Sequence, residues 1–193
     1  MNPTHQHNQL IEIAHATPWF MEALSVVREL KLASWCIGAG AVRNMVWDAL
    51  HDYPAPSYLS DVDVAYFDAQ ALTPGGDFAL QSQLSTMLPG VPWELTNQAA
   101  VHLWFEAEFG YAVEPLTSLE QGLAFWPEYA TAIGLFLDHQ NNIDIIAPYG
   151  LDDLFSMTIR RNPCVDLKTY RDRIANKNFV GRWPMVTIIE EYD

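Results

Sequence analysis

The stretch from Trp35 to Asp68, WCIGAGAVRNMVWDALHDYPAPSYLSDVDVAYFD, predicts a strand, a glycine turn, a helix, a loop and a second strand in that order. The apolar residues 35–37 end at Gly38-Ala39-Gly40, and glycine allows a backbone to turn sharply and to approach a ligand closely. The residues after the turn favour a helix whose core-facing positions recur every three or four residues, namely Ala41, Val42, Met45, Val46, Ala49 and Leu50.

The start of this helix is a candidate phosphate site. Free N–H groups at a helix N-terminus attract anions, and the guanidinium of Arg43 could donate two parallel hydrogen bonds to a phosphate. We therefore predict that Gly38, Ala39, Gly40 and Arg43 bind the phosphates of a nucleotide. The alternative for Arg43 is a surface ion pair, for example with Asp48.

The second strand, residues 62–67, carries two carboxylates at its start. Side chains alternate across a strand, so Asp61 and Asp63 share one face while apolar residues occupy the other. Adjacent carboxylates repel each other and raise each other's pKa, and a divalent cation between them removes this repulsion. Because Mg²⁺ prefers carboxylate oxygens together with phosphates, the layout predicts a nucleotidyl transfer site that uses Mg²⁺ or Mn²⁺ and a nucleoside triphosphate.

These residues carry a resemblance to a known superfamily. The residues 40–44, GAVRN, followed by residues 60–64, SDVDV, resemble the glycine-turn and aspartate-strand signature of the polymerase-beta-like nucleotidyltransferases. The version in tRNA CCA-adding enzymes and bacterial poly(A) polymerases is GG-x-V-R-D. Ala39 stands where that signature has its first glycine, and Asn44 replaces its aspartate.

Longer stretches are similar to a bacterial nucleotidyltransferase-like family, and together they span most of the chain from Trp35 to Pro163: residues 40–50, 60–68, 93–104 and 147–155. The resemblance implies an α/β fold with a mixed sheet and flanking helices. It also implies metal-dependent transfer of a nucleoside monophosphate from a nucleoside triphosphate to a hydroxyl group.

The resemblance further implies a third carboxylate from a neighbouring strand. Glu94 has the required parity, because Trp93 and Leu95 would face the core of a short strand over residues 91–96. Its rival is Asp144, on the returning strand of a predicted hairpin. We expect Asp61, Asp63 and Glu94 to be the catalytic residues and the metal ligands.

The charge composition limits the classes of molecule that could act as the acceptor. The chain of 193 residues has a net charge of −14 with only 10 Lys and Arg residues, and no basic run is visible. Nucleic-acid binding draws on clustered Lys and Arg, so a nucleic-acid partner is not expected. The acceptor would instead be a small molecule or a protein.

The remaining expectations concern organisation. We expect a flexible N-terminal tail over residues 1–16, a single domain over residues 17–176 and a C-terminal tail over residues 177–193. Two cysteines provide no disulfide framework, which fits a reducing cytoplasm, and no apolar run reaches membrane-spanning length. Three tryptophans, Trp47, Trp93 and Trp104, are expected in the core.

Two other classes of function stay open. The chain could be a catalytically inactive module that binds nucleotide or a partner protein, and Ala39 and Asn44 at signature positions favour this reading. A phosphohydrolase that uses the same metals with water as the acceptor is a weaker alternative.

Overall fold

The computed structural model describes residues 2–73 and 75–189, and the helices and strands follow one another in the order that the sequence predicts for its central part. No helix in these two ranges is long and apolar enough to cross a bilayer. The helices are α1 (Pro3–His15), α2 (Pro18–Arg28), α3 (Ala39–Leu50), α4 (Gly76–Met87), α5 (Val101–Phe109), α6 (Leu119–Ala124), α7 (Asp152–Phe155), α8 (Leu167–Lys177) and α9 (Phe179–Arg182). The strands are β1 (Trp35–Gly38), β2 (Val62–Tyr66), β3 (Trp93–Asn97), β4 (Gly134–Leu137), β5 (Ile143–Ile146), β6 (Thr158–Ile159) and β7 (Thr187–Ile188).

Five strands form one mixed sheet in the order β3-β2-β1-β4-β5. Strands β2 and β3 are parallel, whereas β1 pairs antiparallel with β2 and β4, and β4 pairs antiparallel with β5. The mixed sheet with flanking helices confirms the predicted fold class. The parallel pair is the part that matters for the site, because its register places Asp63 beside Glu94.

The two faces of β2 differ as their alternation predicts. Val62, Val64 and Tyr66 are buried in the main core, which also holds five apolar residues of α3: Ala41, Val42, Met45, Val46 and Trp47. The other face packs partly against α6, where Leu119 and Leu123 are buried. Within α3 the predicted core positions are buried, except that Ala49 is exposed and Leu50 is half-buried at the end of the helix.

Most of the flexible tail expected over residues 1–16 is instead helix α1 (Pro3–His15), while residue 1 lies outside the described ranges. Asn2 caps this helix by accepting a hydrogen bond from the Thr4 N–H at 3.0 Å. Leu10 and Ala14 are fully buried one turn apart, and Gln6 Nε2 donates to Asp152 Oδ1 at 2.8 Å. The segment is ordered because its 6/10/14 spacing buries one face against the rest of the chain.

The C-terminal tail expected over residues 177–193 is also structured where it is described, while residues 190–193 lie outside the described ranges. Helix α8 runs on to Lys177, α9 follows, and β7 pairs parallel with β6. Trp183 is fully buried and its Nε1 donates to Asp48 Oδ1 at 2.8 Å. This segment therefore covers α3.

Candidate active site

The glycine turn is shaped by close contacts at the end of β1. A Cβ on Gly38 would lie 2.7 Å from the Ile133 carbonyl oxygen and 2.7 Å from ring atoms of Trp126, so only glycine fits. Ala39 follows with a φ of +49°, and its N–H donates to the Ile133 carbonyl at 3.2 Å. The left-handed conformation costs a non-glycine residue about 1–2 kcal/mol, which explains why the resembling signature has glycine at this position.

Gly40 leaves open space between two charged groups. A Cβ on Gly40 would meet Arg43 Nη2 at 3.7 Å and Asp61 Oδ1 at 3.8 Å, which are ordinary contact distances. The packing of the protein itself therefore does not require glycine here. The missing side chain instead leaves the first turn of α3 open to a ligand.

Arg43 is held in a cage of aromatic rings. Its guanidinium carbon lies 5.0 Å from the ring centroid of Phe179, 5.5 Å from that of Trp183 and 5.6 Å from that of Trp47. Nη2 and Nε donate to Asn44 Oδ1 at 2.7 and 3.2 Å. Cation–π contacts of this kind stabilise a desolvated guanidinium.

One donor of this caged cation is unused. The side chain of Arg43 is buried, and its Nη1 finds no hydrogen-bond partner among the described residues. Burial is the main cause that lowers the pKa of Arg43 to about 10, so the group stays charged at neutral pH. A buried cation with an unmatched donor is a strong attractor for an anion.

Asp48 does not pair with Arg43, which was the alternative interpretation. Its Oδ1 accepts from Trp183 and its Oδ2 accepts from the Ser57 N–H at 2.8 Å. Asp48 thus anchors the C-terminal segment and the loop before β2.

Three carboxylates stand on the neighbouring strands. Asp63 and Glu94 are register partners on parallel strands, and Asp61 comes just before β2, where its Oδ2 accepts from Ser60 Oγ at 2.9 Å. Burial, followed by the charges of Asp61 and Glu94, raises the pKa of Asp63 to about 6. The unfavourable charge of Asp63 would be relieved by a cation.

Asp144 lies elsewhere. It is exposed on β5, the edge strand at the opposite end of the sheet from β3. Of the two candidates for a third carboxylate, Glu94 is therefore the one beside Asp63.

These groups line one cleft of about 300 Å³, which we call the charged cleft. It includes Ala39, Gly40 and Arg43 from the turn, all three carboxylates, and three cations that the sequence analysis did not identify. The cations are Arg173 and Lys177 of α8 and Arg182 of α9. Gly38 lies behind this surface, where it allows the turn to pack.

The three cations differ in how they are held. Arg173 Nε forms an ion pair with Glu128 Oε1, and Glu128 is fully buried. Arg182 Nη2 donates to the Tyr58 carbonyl at 2.7 Å. The ammonium group of Lys177 makes no hydrogen bond or salt bridge with residues 2–73 or 75–189. It is therefore the most available cation of the three for a ligand.

The carboxylates of Asp61, Asp63 and Glu94 are suitable metal ligands by chemical type, but they do not converge on one position. Across the described parts of the chain, no three His, Cys, Asp or Glu side chains lie close enough together to hold a metal ion as they stand. Hard cations such as Mg²⁺ usually take one or two carboxylates plus substrate phosphates and water. Two aspartates with a triphosphate would meet that requirement, and Glu94, which is exposed, is free to turn toward them.

Known proteins resemble this chain in sequence and in fold. A family model described as nucleotidyltransferase matches residues 25–188. A solved structure described as an NMR structure that reveals a CCA-adding enzyme head domain is 26% identical, with a TM-score of 0.81, and the match covers 95% of this chain and 96% of that chain. No curated protein matches the chain.

Larger enzymes share the fold. A CCA-adding enzyme in complex with CTP is 14% identical with a TM-score of 0.56, and the match covers 95% of this chain but 43% of that chain. A tRNA-processing enzyme with CTP is 18% identical with a TM-score of 0.52, and the match covers 87% of this chain and 43% of that chain. This chain thus spans less than half of the length of these two enzymes. With its family match, its fold and its ordered glycine turn and aspartate strand, the chain belongs to this nucleotidyltransferase family and has the polymerase-beta-like fold.

Proposed function

We propose that this protein is a metal-dependent nucleotidyltransferase that moves a nucleoside monophosphate from a nucleoside triphosphate to a hydroxyl of a small-molecule or protein acceptor. The observation that carries the proposal is the charge layout of the charged cleft. Cations, including the unmatched Arg43 donor, stand beside the carboxylates Asp61, Asp63 and Glu94.

The cations and the turn would bind the triphosphate. Gly40 lets phosphate oxygens approach the start of α3, where free N–H groups and the helix dipole favour negative charge. Arg43 offers its guanidinium, in which Nη1 has no partner of its own, and Lys177 offers its ammonium group from α8. Arg43 is positioned in advance by its aromatic cage, so little entropy is lost when it binds.

The carboxylates would hold Mg²⁺ or Mn²⁺, with Asp61 and Asp63 as two ligands and Glu94 as the third. When bound there, such a metal would lower the pKa of the acceptor hydroxyl and neutralise charge on the departing pyrophosphate. In the reaction the acceptor hydroxyl loses its proton to water, its oxygen bonds to the α-phosphorus, the bond from that phosphorus to the bridging oxygen breaks, and pyrophosphate leaves. No histidine base is needed for this chemistry.

Charge argues against a nucleic-acid acceptor. The CCA-adding and tRNA-processing enzymes share the fold, but this chain has a net charge of −14 with 10 Lys and Arg residues. Four of those cations already belong to the charged cleft, where a triphosphate would use them. Few remain to hold a polyanion.

The test is a transfer assay. Purified protein is incubated with each α-labelled nucleoside triphosphate, Mg²⁺ or Mn²⁺, and fractionated cell extract, and label on protein or small molecules is measured with pyrophosphate release. We expect one or more triphosphates to give labelled product with the wild type and none with Asp61→Asn/Asp63→Asn. Product formed equally by the double variant would contradict the proposal.

An inactive binding module is the second candidate. It is favoured by Ala39 and Asn44 at signature positions and by carboxylates that do not group around one point as they stand. Triphosphate binding and turnover of Glu94→Gln distinguish an enzyme from an inactive binding module. An enzyme should keep triphosphate binding and lose turnover by orders of magnitude, whereas a binding module shows no turnover in either protein.

A further inference from the structure

A second and larger groove adjoins the charged cleft. It has a volume of about 580 Å³, within the range of roughly 300–1,000 Å³ that is usual for small-molecule sites. The two share Asp63, Glu94, Trp126 and Pro127 as a common border. We call the larger one the aromatic groove, because its wall includes six aromatic residues: Trp104, Phe105, Phe109, Tyr111, Phe125 and Trp126.

Helix α5 supplies much of this wall and is unusually exposed. All nine of its residues are described, and none of them is buried. Trp104, which the sequence analysis expected in the core, is 41% exposed, and Phe109 is 51% exposed. The aromatic rings of this wall contact one another. The ring centroid of Phe105 lies 4.4 Å from that of Phe109 and 5.3 Å from that of Tyr111. Exposed apolar patches of this kind mark binding sites.

The aromatic groove has carboxylates but none of the cations of the charged cleft. Among the described residues that line it, four are carboxylates and no Lys or Arg is present. Asp63 and Glu94 stand at the shared border, while Glu114 and Asp166 belong to the groove alone. Aromatic faces and carboxylates both attract cations. The groove therefore selects an aromatic or apolar ligand that carries positive charge.

We propose that the aromatic groove binds the acceptor, and that this acceptor is a cationic aromatic or apolar compound with a hydroxyl group. The acceptor role rests on the proposed function. In nucleotidyl transfer the attacking oxygen lies opposite the leaving pyrophosphate. The triphosphate would lie against Gly40 and Arg43, and neither of these two residues lines the aromatic groove. The groove instead begins at Asp63 and Glu94, which border both sites. An acceptor in the groove would present its hydroxyl at those two carboxylates.

Other occupants fit less well. A nucleic acid would bring phosphates against four carboxylates. A second copy of this chain would bring another acidic groove and another net charge of −14. A nucleobase is neutral, so it lacks the positive charge that the carboxylates of Glu114 and Asp166 favour.

Three matched probes test the groove without any nucleotide: 2-(2-naphthyl)ethylamine, 2-(2-naphthyl)ethanol and 2-naphthylacetate share one ring system and differ in charge. Calorimetry should show the amine binding at least ten times more tightly than the acetate, with the alcohol between them. Trp104→Ala should weaken all three probes about tenfold. Phe78→Ala is the matched control, because Phe78 is 73% exposed on α4 and does not line the groove.

The charge selection has its own variant. Glu114→Gln/Asp166→Asn removes the two carboxylates that belong to the groove alone and keeps the hydrogen-bonding cap at the start of α8. The gap between the amine and the acetate should shrink at least threefold, with little change for the alcohol. Equal or tighter binding of the acetate in the wild type, or no effect of Trp104→Ala, would overturn the proposal.

Triphosphate binding, measured in the same variants, separates this proposal from the proposed function. If Trp104→Ala leaves triphosphate affinity unchanged while probe binding falls, the acceptor assignment is supported. If Trp104→Ala weakens triphosphate binding as much as Gly40→Ala does, the groove holds the nucleobase and the proposal is wrong. A dimer in sedimentation that Trp104→Ala dissociates would also overturn it. If the probes bind as expected but no triphosphate binds the wild type, the proposed function fails and the acceptor role with it, although the groove's preference for cations stands.

Discussion

At the scale of single residues, the two glycines of the turn have different tasks. A methyl group on Gly38 would lie 2.7 Å from a backbone oxygen, whereas one on Gly40 would make ordinary contacts at 3.7 and 3.8 Å. Gly38→Ala should therefore destabilise the fold by about 1–3 kcal/mol, which lowers the melting temperature by several degrees. Gly40→Ala should leave the melting temperature nearly unchanged.

The variants Gly38→Ala and Gly40→Ala also distinguish an effect on packing from an effect on ligand binding. Because Gly40 faces the charged cleft, Gly40→Ala should weaken triphosphate binding about tenfold or more, measured by calorimetry with whichever triphosphate binds the wild type. If Gly40→Ala binds triphosphate as the wild type does, the phosphates do not approach the turn at this residue.

Asp63 makes the stability of the metal-free protein depend on pH. Its pKa is raised from 3.8 to about 6 by burial and by the charges of Asp61 and Glu94. A carboxyl group with a raised pKa destabilises the folded state above that pKa, here by up to about 3 kcal/mol, and the penalty disappears as the pH falls from about 6 to about 4. Asp63→Asn should therefore be more stable than the wild type at pH 8.

This advantage of Asp63→Asn should shrink steadily toward pH 4. Urea unfolding of both proteins in EDTA, at several pH values from 4 to 8, measures it. An advantage that is the same at every pH would mean that Asp63 titrates normally.

At the scale of elements, helix α8 completes the charged cleft from far along the chain. The ammonium group of Lys177 makes no hydrogen bond or salt bridge in the described parts of the chain, so removing its charge should not disturb the fold. Lys177→Gln should weaken triphosphate binding several-fold at low salt, because a phosphate loses a partly buried cation, and the effect should fade as salt rises.

The matched control is Lys168→Gln on the same helix. Lys168 is exposed and pairs with Asp172 at 3.0 Å, so its removal takes away the same charge at a distance from the charged cleft. Equal losses of triphosphate affinity in the two variants would mean that the net charge of the protein, and not a contact with Lys177, causes the effect.

The sequence could predict those helices and strands whose pattern of apolar residues lies within the element itself. The period of two along β2 and β3 put Asp63 and Glu94 on the polar faces of their strands, and their parallel pairing then set them side by side. Helix α1 could have been found from its buried 6/10/14 spacing, but its polar start, with His5 and His7, hid that pattern. The cations of α8 and α9 carry no local signal, because only tertiary packing brings them to α3.

The same limit explains the outcome at Arg43. Its place in the first turn of a helix after a glycine turn predicts a phosphate role, which stays a prediction. Its aromatic cage could not be predicted, because Phe179 and Trp183 lie more than 130 residues further along the chain. Trp104 was expected in the core, but it is 41% exposed and lines the aromatic groove, on a helix with no buried residue.

At the scale of the whole molecule, net charge limits the partners. With a charge of −14, tight binding of tRNA at physiological salt is not expected, because few phosphates could be neutralised. Fluorescence anisotropy with labelled tRNA at 50 and 200 mM salt measures this. Sub-micromolar affinity that falls steeply between the two salt concentrations would overturn the preference for a small-molecule or protein acceptor.

The central claim is that Asp61, Asp63 and Glu94 form a metal site, and the rise in melting temperature on adding Mg²⁺ tests it most directly. At a concentration one hundred times its Kd, a metal that binds only the folded state adds about 2.7 kcal/mol, which is several degrees for a chain of this size. The wild type and the matched control Asp144→Asn, which removes an exposed carboxylate from the far edge of the sheet, should show this rise at pH 8. Asp63→Asn should show little of it. An equal rise in Asp63→Asn and the wild type, or a rise lost in Asp144→Asn, would contradict the account.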